Sequence, residues 1–250
     1  MLMYKENAKE EVTRWKRKLL KRPSMAGRYT KKLQVKMNTM IPERVHTVVT
    51  TGIRNMVQAT LTGTEHTANK EPLYDLSLEE REEKVRQLIK SYKRTAAAEG
   101  AGTGAGGILL GLADFPLLLG IKMKFLFDVA QAYGYDVRDY RERLFVLRLF
   151  QLAFSSGDKR IEALKRIEEW EEEYNYLPSK REYMEHVDWK EFQLNYRDFI
   201  DLPKMLQMIP GFGAIVGAAA NYHFLDLLGE TAMNSYRIRL FEQEKNGEDL

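Results

Sequence analysis

AAAEGAGTGAGGILLGLADFPLLLGIKMKFLFDVAQAYGYD, residues 96–136, decides the fold class. It sets glycines four apart, Gly100–Gly104, Gly102–Gly106 and Gly107–Gly111, and then runs into a bulky apolar segment that ends at Tyr133. Residues four apart share one face of a helix, so this spacing lays down a strip without side chains. Each glycine inside a helix costs about 1 kcal/mol relative to alanine, a cost that repays only where two backbones approach closely. MIPGFGAIVGAAANYHFLDLLGETAMNSYRIRLF, residues 208–241, repeats the device with Gly213–Gly217 and Ala218 to Ala220. The expectation is a compact all-α bundle in which two glycine-zipper hairpins pack together through Gly102, Gly106, Gly107, Gly111, Gly213 and Gly217. The apolar run from Ala105 to Ile121 carries Asp114 and Pro116, and the run from Met208 to Ala220 is shorter still. A membrane span needs about twenty apolar residues, so a buried core is expected and a shallow or re-entrant insertion is the competing reading.

Working outward, helical periodicity continues and no alternating strand pattern emerges. Pro42 suits the first turn of a helix reaching Leu61, with Val45, Val48, Val49, Ile53, Met56, Val57 and Leu61 on one face. Ser77 with Glu80 and Ser179 with Glu182 match capping boxes, Asp188 with Glu191 looks alike, and Asp139 can cap the helix that follows it. EEWEEEYNY at 168–176 is expected to be a solvated helix end, and 158–191 a polar, solvent-exposed helical excursion from a domain spanning 41–250.

Charge is unevenly spread. Of 39 Lys and Arg, thirteen fall in residues 1–44 against four Glu, while the rest of the chain is net acidic. A basic arm (residues 1–40) ahead of an acidic body suits a polyanion, whether anionic lipid or an acidic face of the same protein. The arm opens on an amphipathic helix with Tyr4, Ala8, Val12, Trp15 and Leu19 as its stripe. Trp15 flanked by Lys16, Arg17, Lys18, Lys21 and Arg22 is the composition of an interfacial helix, although docking of that stripe on the body is the simpler reading. No nucleic-acid module accompanies it, so nucleic acid is not an expected partner. The absence of cysteine excludes disulfides, thiolate metal sites and Fe–S clusters. The start has no apolar signal-peptide core, so a cytoplasmic protein is expected, peripheral at the inner face of the membrane.

Several patterns resemble chemistry. GTGAGG at 102–107 fits a dinucleotide fingerprint, but helical sequence precedes it where a strand is needed, so no cofactor is expected. Asp114 precedes Phe115-Pro116 as a helix N-cap would, and as a buried acid it would face Asn221, His223 and Asp226. That polar cluster is the candidate site of an enzymatic or metal-binding alternative, although one histidine among carboxylates is an incomplete ligand set and no metal is expected. A further alternative is a carrier of an apolar ligand, enclosed by methionines and by Phe125, Phe127, Phe145, Phe150 and Phe154.

GLADFPLLLGIKMKFLFDVAQAYGYD at 111–136 and RERLFVLRLF at 141–150 resemble the EcsC family of bacterial proteins. So do PGFGAIVGAAANYHFLDLLGETAMNSYRIRLF at 210–241 and IPERVHTVVTTGIRNMVQATLTG at 41–63. The pattern positions are Gly107, Gly111, Asp114, Pro116, Tyr133, Gly134, Asn221, Tyr222, Gly229 and Tyr236. The resemblance implies a protein encoded beside an ABC-transporter pair tied to secretion and regulated proteolysis, with no established reaction. The expected function is thus a non-enzymatic accessory or interaction protein, with an anionic membrane surface and a membrane transporter complex as partners.

Overall fold

The computed structural model describes residues 2–21, 43–62, 71–103, 115–201 and 217–247, with backbone alone at 44, 46, 96–103 and 217–221. Among these residues there are ten helices and no strand: α1 Leu2–Leu20, α2 Glu43–Thr62, α3 Leu78–Thr103, α4 Phe115–Ala132, α5 Tyr140–Phe154, α6 Gly157–Glu168, α7 Trp170–Tyr174, α8 Lys180–His186, α9 Trp189–Asp198 and α10 Gly217–Lys245. None of them is long and apolar enough to cross a membrane.

Local signals set the helix ends. Asp139 accepts a hydrogen bond from the Arg141 backbone N–H and starts α5. Ser77 and Glu80 exchange cap bonds at the start of α3, and Ser179 and Glu182 do so at α8. The end of α4 is a Schellman turn, with Tyr135 N–H donating to Ala130 C=O and Gly134 N–H to Gln131 C=O, each at 3.0 Å. Gly134 holds φ +91° there, a conformation glycine alone adopts cheaply.

Packing centres on α10, which lies along α3 and also touches α1, α4, α5, α6 and α7. Residues 234–240 of α10 are buried in an unbroken run, and α5 is buried almost as completely. A helix covered on all sides cannot keep a polar face in water, so its charges need partners inside. Arg237 and Arg239 lie on opposite sides of α10 and are matched on each. Arg237 donates to Glu82 of α3, and Arg239 pairs with Glu142 of α5 and Glu171 of α7. Burial depresses the charge of Arg239, but Glu142 and Tyr135 outweigh it and hold the guanidinium firmly protonated. Its Cζ lies 3.9 Å from the Tyr135 ring centroid.

α2 packs on α4, α5 and α9, and it buries the Val45 to Leu61 face read from periodicity except Val48, which is half-buried. Residues 168–176 are a solvated end only in part: Glu168, Glu169, Glu172, Asn175 and Tyr176 are exposed, but two residues turn inward. Trp170 is fully buried beside Phe145, and Glu171 is spent on Arg239. Its glutamate-rich neighbours gave the segment a solvated look, yet the tertiary cation of α10 draws Glu171 inward. Ala163, Leu164 and Ile167 of α6 are core as well, whereas α8 buries no residue.

Candidate functional site

α1 is amphipathic, so one face must be covered. Ala8, Val12 and Trp15 are buried where α1 meets α6 and α10. Polar contacts clamp the rim of that face: Lys16 with Glu168 at 2.7 Å, Lys18 with Glu230 at 3.3 Å, Glu11 with Arg237 at 2.7 Å, and Lys5 with Glu244. Nearer its start, Tyr4 donates to Glu82 at 2.6 Å and accepts from Arg86 at 2.8 Å. Burial and then the bond to Glu82 raise the Tyr4 phenol above its ordinary value.

The candidate contact residues therefore divide. Trp15 is 6% exposed, its ring covered by the chain's own body rather than presented outward. The body supplies apolar surface at intramolecular concentration, which a bilayer must outcompete. Lys16 is half-buried, while Arg17, Lys18 and Lys21 stay exposed, and Arg22 lies outside the described residues. Arg14 is exposed beside them. Four exposed cations thus gather on the last two turns of α1 and the residue just beyond it, where the helix dipole also favours them. Two cavities flank this docked end: one of about 590 Å³ towards α3 and α10, and one of about 290 Å³ reaching His223.

The polar cluster is incomplete. Asp114 lies outside the described residues, as does the side chain of Asn221. Asp226 is exposed and committed to Lys93 of α3, whose Nζ reaches its two oxygens at 2.5 and 2.6 Å. That ammonium also sits 3.6 Å above the Tyr222 ring centroid. Burial works against the Lys93 charge, but Asp226 and Tyr222 outweigh it and hold the amine above its usual value. His223 is exposed and shares a cavity with Asp226 and Lys18. Among the described residues no three His, Cys, Asp or Glu converge as metal ligands.

Of the small-residue seam, Gly102 and Gly217 fall within α3 and α10 as backbone alone, and Gly106, Gly107, Gly111 and Gly213 lie outside the described residues. Phe125, Phe145, Phe150 and Phe154 are plain core. Phe127, half-buried, lines a separate groove between α2 and α4. Sequence reasoning missed the buried acids Glu82 and Glu142. The Arg-x-Arg pair inside YRIRLF, interleaved with Tyr236, Ile238 and Leu240, was the one signal that acids must come to meet it.

The chain matches the family model described as the EcsC protein family over residues 6–241. It is 47% identical over 234 residues to Protein EcsC of Bacillus subtilis (strain 168), covering 94% of this chain and 95% of that protein. It is also 34% identical over 150 residues to an uncharacterized protein of the same organism, YdbA, covering 60% of this chain and 54% of the other. No solved structure matches.

Proposed function

We propose the following reading for this chain, which belongs to the EcsC protein family: it is a non-catalytic accessory protein that works at an anionic membrane surface, beside the transporter complex that the family resemblance implies. The observation that carries it is the outward cation cluster of α1, Arg14, Arg17, Lys18 and Lys21, held on a helix whose apolar stripe is clamped. Each such cation near an anionic leaflet is worth about 1 kcal/mol, so four give weak, reversible and salt-sensitive binding. Leu20, 43% exposed among them, adds a small apolar foothold.

The use of the ionisable groups supports a scaffold rather than a catalyst. Glu82, Glu142, Arg237 and Arg239 are consumed in one another's charge inside the bundle, and Asp226 is consumed by Lys93. Sedimentation with phosphatidylglycerol-containing vesicles, against phosphatidylcholine alone, across a salt series tests the reading. The protein is expected to pellet with anionic vesicles at low salt and to release as salt rises. A variant with Arg14, Arg17 and Lys21 changed to Gln, which leaves the Lys18–Glu230 contact in place, should pellet far less while keeping its melting temperature. Unchanged pelleting by that variant removes α1 from the account.

A further inference from the structure

The groove between α2 and α4 is lined by side chains that fill it poorly. α2 contributes Gly52, Met56 and Ala59 with the polar Asn55 and Thr60, and α4 contributes Pro116, Met123 and Phe127. At the middle of the α4 wall stands Gly120, where an added Cβ would meet nothing within 4 Å. A mid-helix glycine costs about 1 kcal/mol relative to alanine, and here no close neighbour among the described residues explains it. What the small residues leave is about 400 Å³ of space, at the lower end of ligand-pocket volumes.

We infer that this groove binds one acyl chain of a monomeric, anion-headed amphiphile, a long-chain fatty acid in its simplest form, with the carboxylate at Lys124. Size, polarity and charge support that occupant. From Pro116 to Phe127 the α4 wall advances eleven residues, about 16 Å at 1.5 Å per residue. The volume spread over that length gives a cross-section of roughly 25 Å². An α-helix with side chains is about 10 Å across, a cross-section roughly three times that area. A single hydrocarbon chain is of the right girth, and its methylenes gain about 0.8 kcal/mol each on leaving water.

Among the described residues Lys124 is the single charged residue in the lining, and no described carboxylate accompanies it there. Its ammonium makes long contacts of 3.2 and 3.3 Å with Asp128. Asp128 is held from the other side by the Tyr92 hydroxyl at 2.7 Å. An ammonium carries three donors, so Lys124 can serve Asp128 and still donate to an anionic head. A cationic head would be repelled, and a neutral one would forgo the charge-assisted bond. The groove is remote in sequence and structure from α1, which packs on α6 and α10, so this inference stands apart from the membrane reading.

The full-length protein is titrated with cis-parinaric acid and read by its fluorescence, with palmitate as competitor. Saturable micromolar binding is expected, displaced by palmitate and several-fold more weakly by hexadecanol. Gly120→Phe projects a ring into the open space and should cut affinity at least tenfold, while Gly120→Ala should fold with unchanged or higher melting temperature and bind less severely impaired. Lys124→Gln should weaken palmitate several-fold and leave hexadecanol unaffected. If Gly120→Phe does not fold, Ala59→Phe fills the groove from the facing wall and is expected to give the same loss. Absence of saturable binding by the wild-type protein overturns the inference, as does equal affinity in the folded groove-filling variant. So does binding to diacyl phosphatidylglycerol vesicles that depends on Gly120 when monomeric fatty acid does not bind.

Discussion

Arg237 and Glu82, 155 positions apart, meet as a two-pronged ion pair in which Nε and Nη2 each donate to a carboxylate oxygen at 2.6 Å. Glu82 is fully buried, and the Arg237 side chain is 5% exposed. The pair joins α3 to α10, and Glu11 of α1 reaches the same guanidinium. Burying two ions costs nearly as much as their attraction returns, but removing one leaves the other stranded. Glu82→Ala is therefore expected to cost about 3–5 kcal/mol in urea unfolding. The double change Glu82→Leu with Arg237→Met should recover most or all of that loss, because no charge then remains to be desolvated.

The same interface offers a test of sign. An added Cβ at Gly229 would come within 2.5 and 2.8 Å of the Ile89 Cδ1 and Cγ1. Gly229→Ala alone should destabilise by about 1–3 kcal/mol, as overpacking does. With Ile89→Ala in the background the obstruction is gone, and the helix preference of alanine, up to about 1 kcal/mol, should make the same change stabilising. A double-mutant cycle by chemical denaturation reads this, and additive effects would refute the packing.

The antiparallel register of α3 and α10 carries a further prediction. Glu82 meets Arg237, Ile89 meets Gly229 and Lys93 meets Asp226. Eighteen residues make five whole helical turns, so going five turns onward from Glu82 and five back from Arg237 sets Gly100 and Ala219 on the same seam. Cysteines at Gly100 and Ala219 should form a disulfide readily in this cysteine-free chain. The Gly102→Cys, Gly217→Cys pair, about half a turn round each helix, is the comparison. Faster crosslinking of that second pair would show that the seam turns to use the glycines expected from spacing.

At Asp139, burial raises the carboxyl, but the bonds from the Arg141 side chain and backbone outweigh it and hold the group below its ordinary value. A depressed carboxylate contributes stability that is present above its unfolded pKa and is lost as pH falls through the folded one. Asp139→Ala is expected to lower stability by about 1 kcal/mol at neutral pH, the usual worth of an N-cap. The gap between variant and wild type should shrink below about pH 4, where the unfolded-state aspartate begins to protonate. Melting curves from pH 7 to pH 3 measure it, and a gap constant across that range would contradict the assignment.

What could be read from residues alone was whatever neighbours along the chain decide. The caps at Ser77, Asp139 and Ser179 and the buried face of α2 all depend on neighbours along one helix. The stripe of Ala8, Val12 and Trp15 was equally plain, but its partner was not. A helix with that pattern suits a bilayer or a protein body alike, and the docking of α1 on α6 and α10 rests on acids more than 150 residues away.

Within 168–176, the two residues that depart from the solvated reading do so for the same reason. Glu171 sits in a glutamate-rich run that water would solvate well, and only Arg239, reaching it from the other end of the chain, draws it and Trp170 inside. The groove beside Gly120 was invisible for a related reason: a glycine in a helix looks like a contact point until the space opposite it proves open. Periodicity and capping are local energies and were settled by the order of the amino acids. Which charge meets which, and which gap stays unfilled, depended on how distant helices came to lie together, since desolvation and packing are properties of the assembled interior.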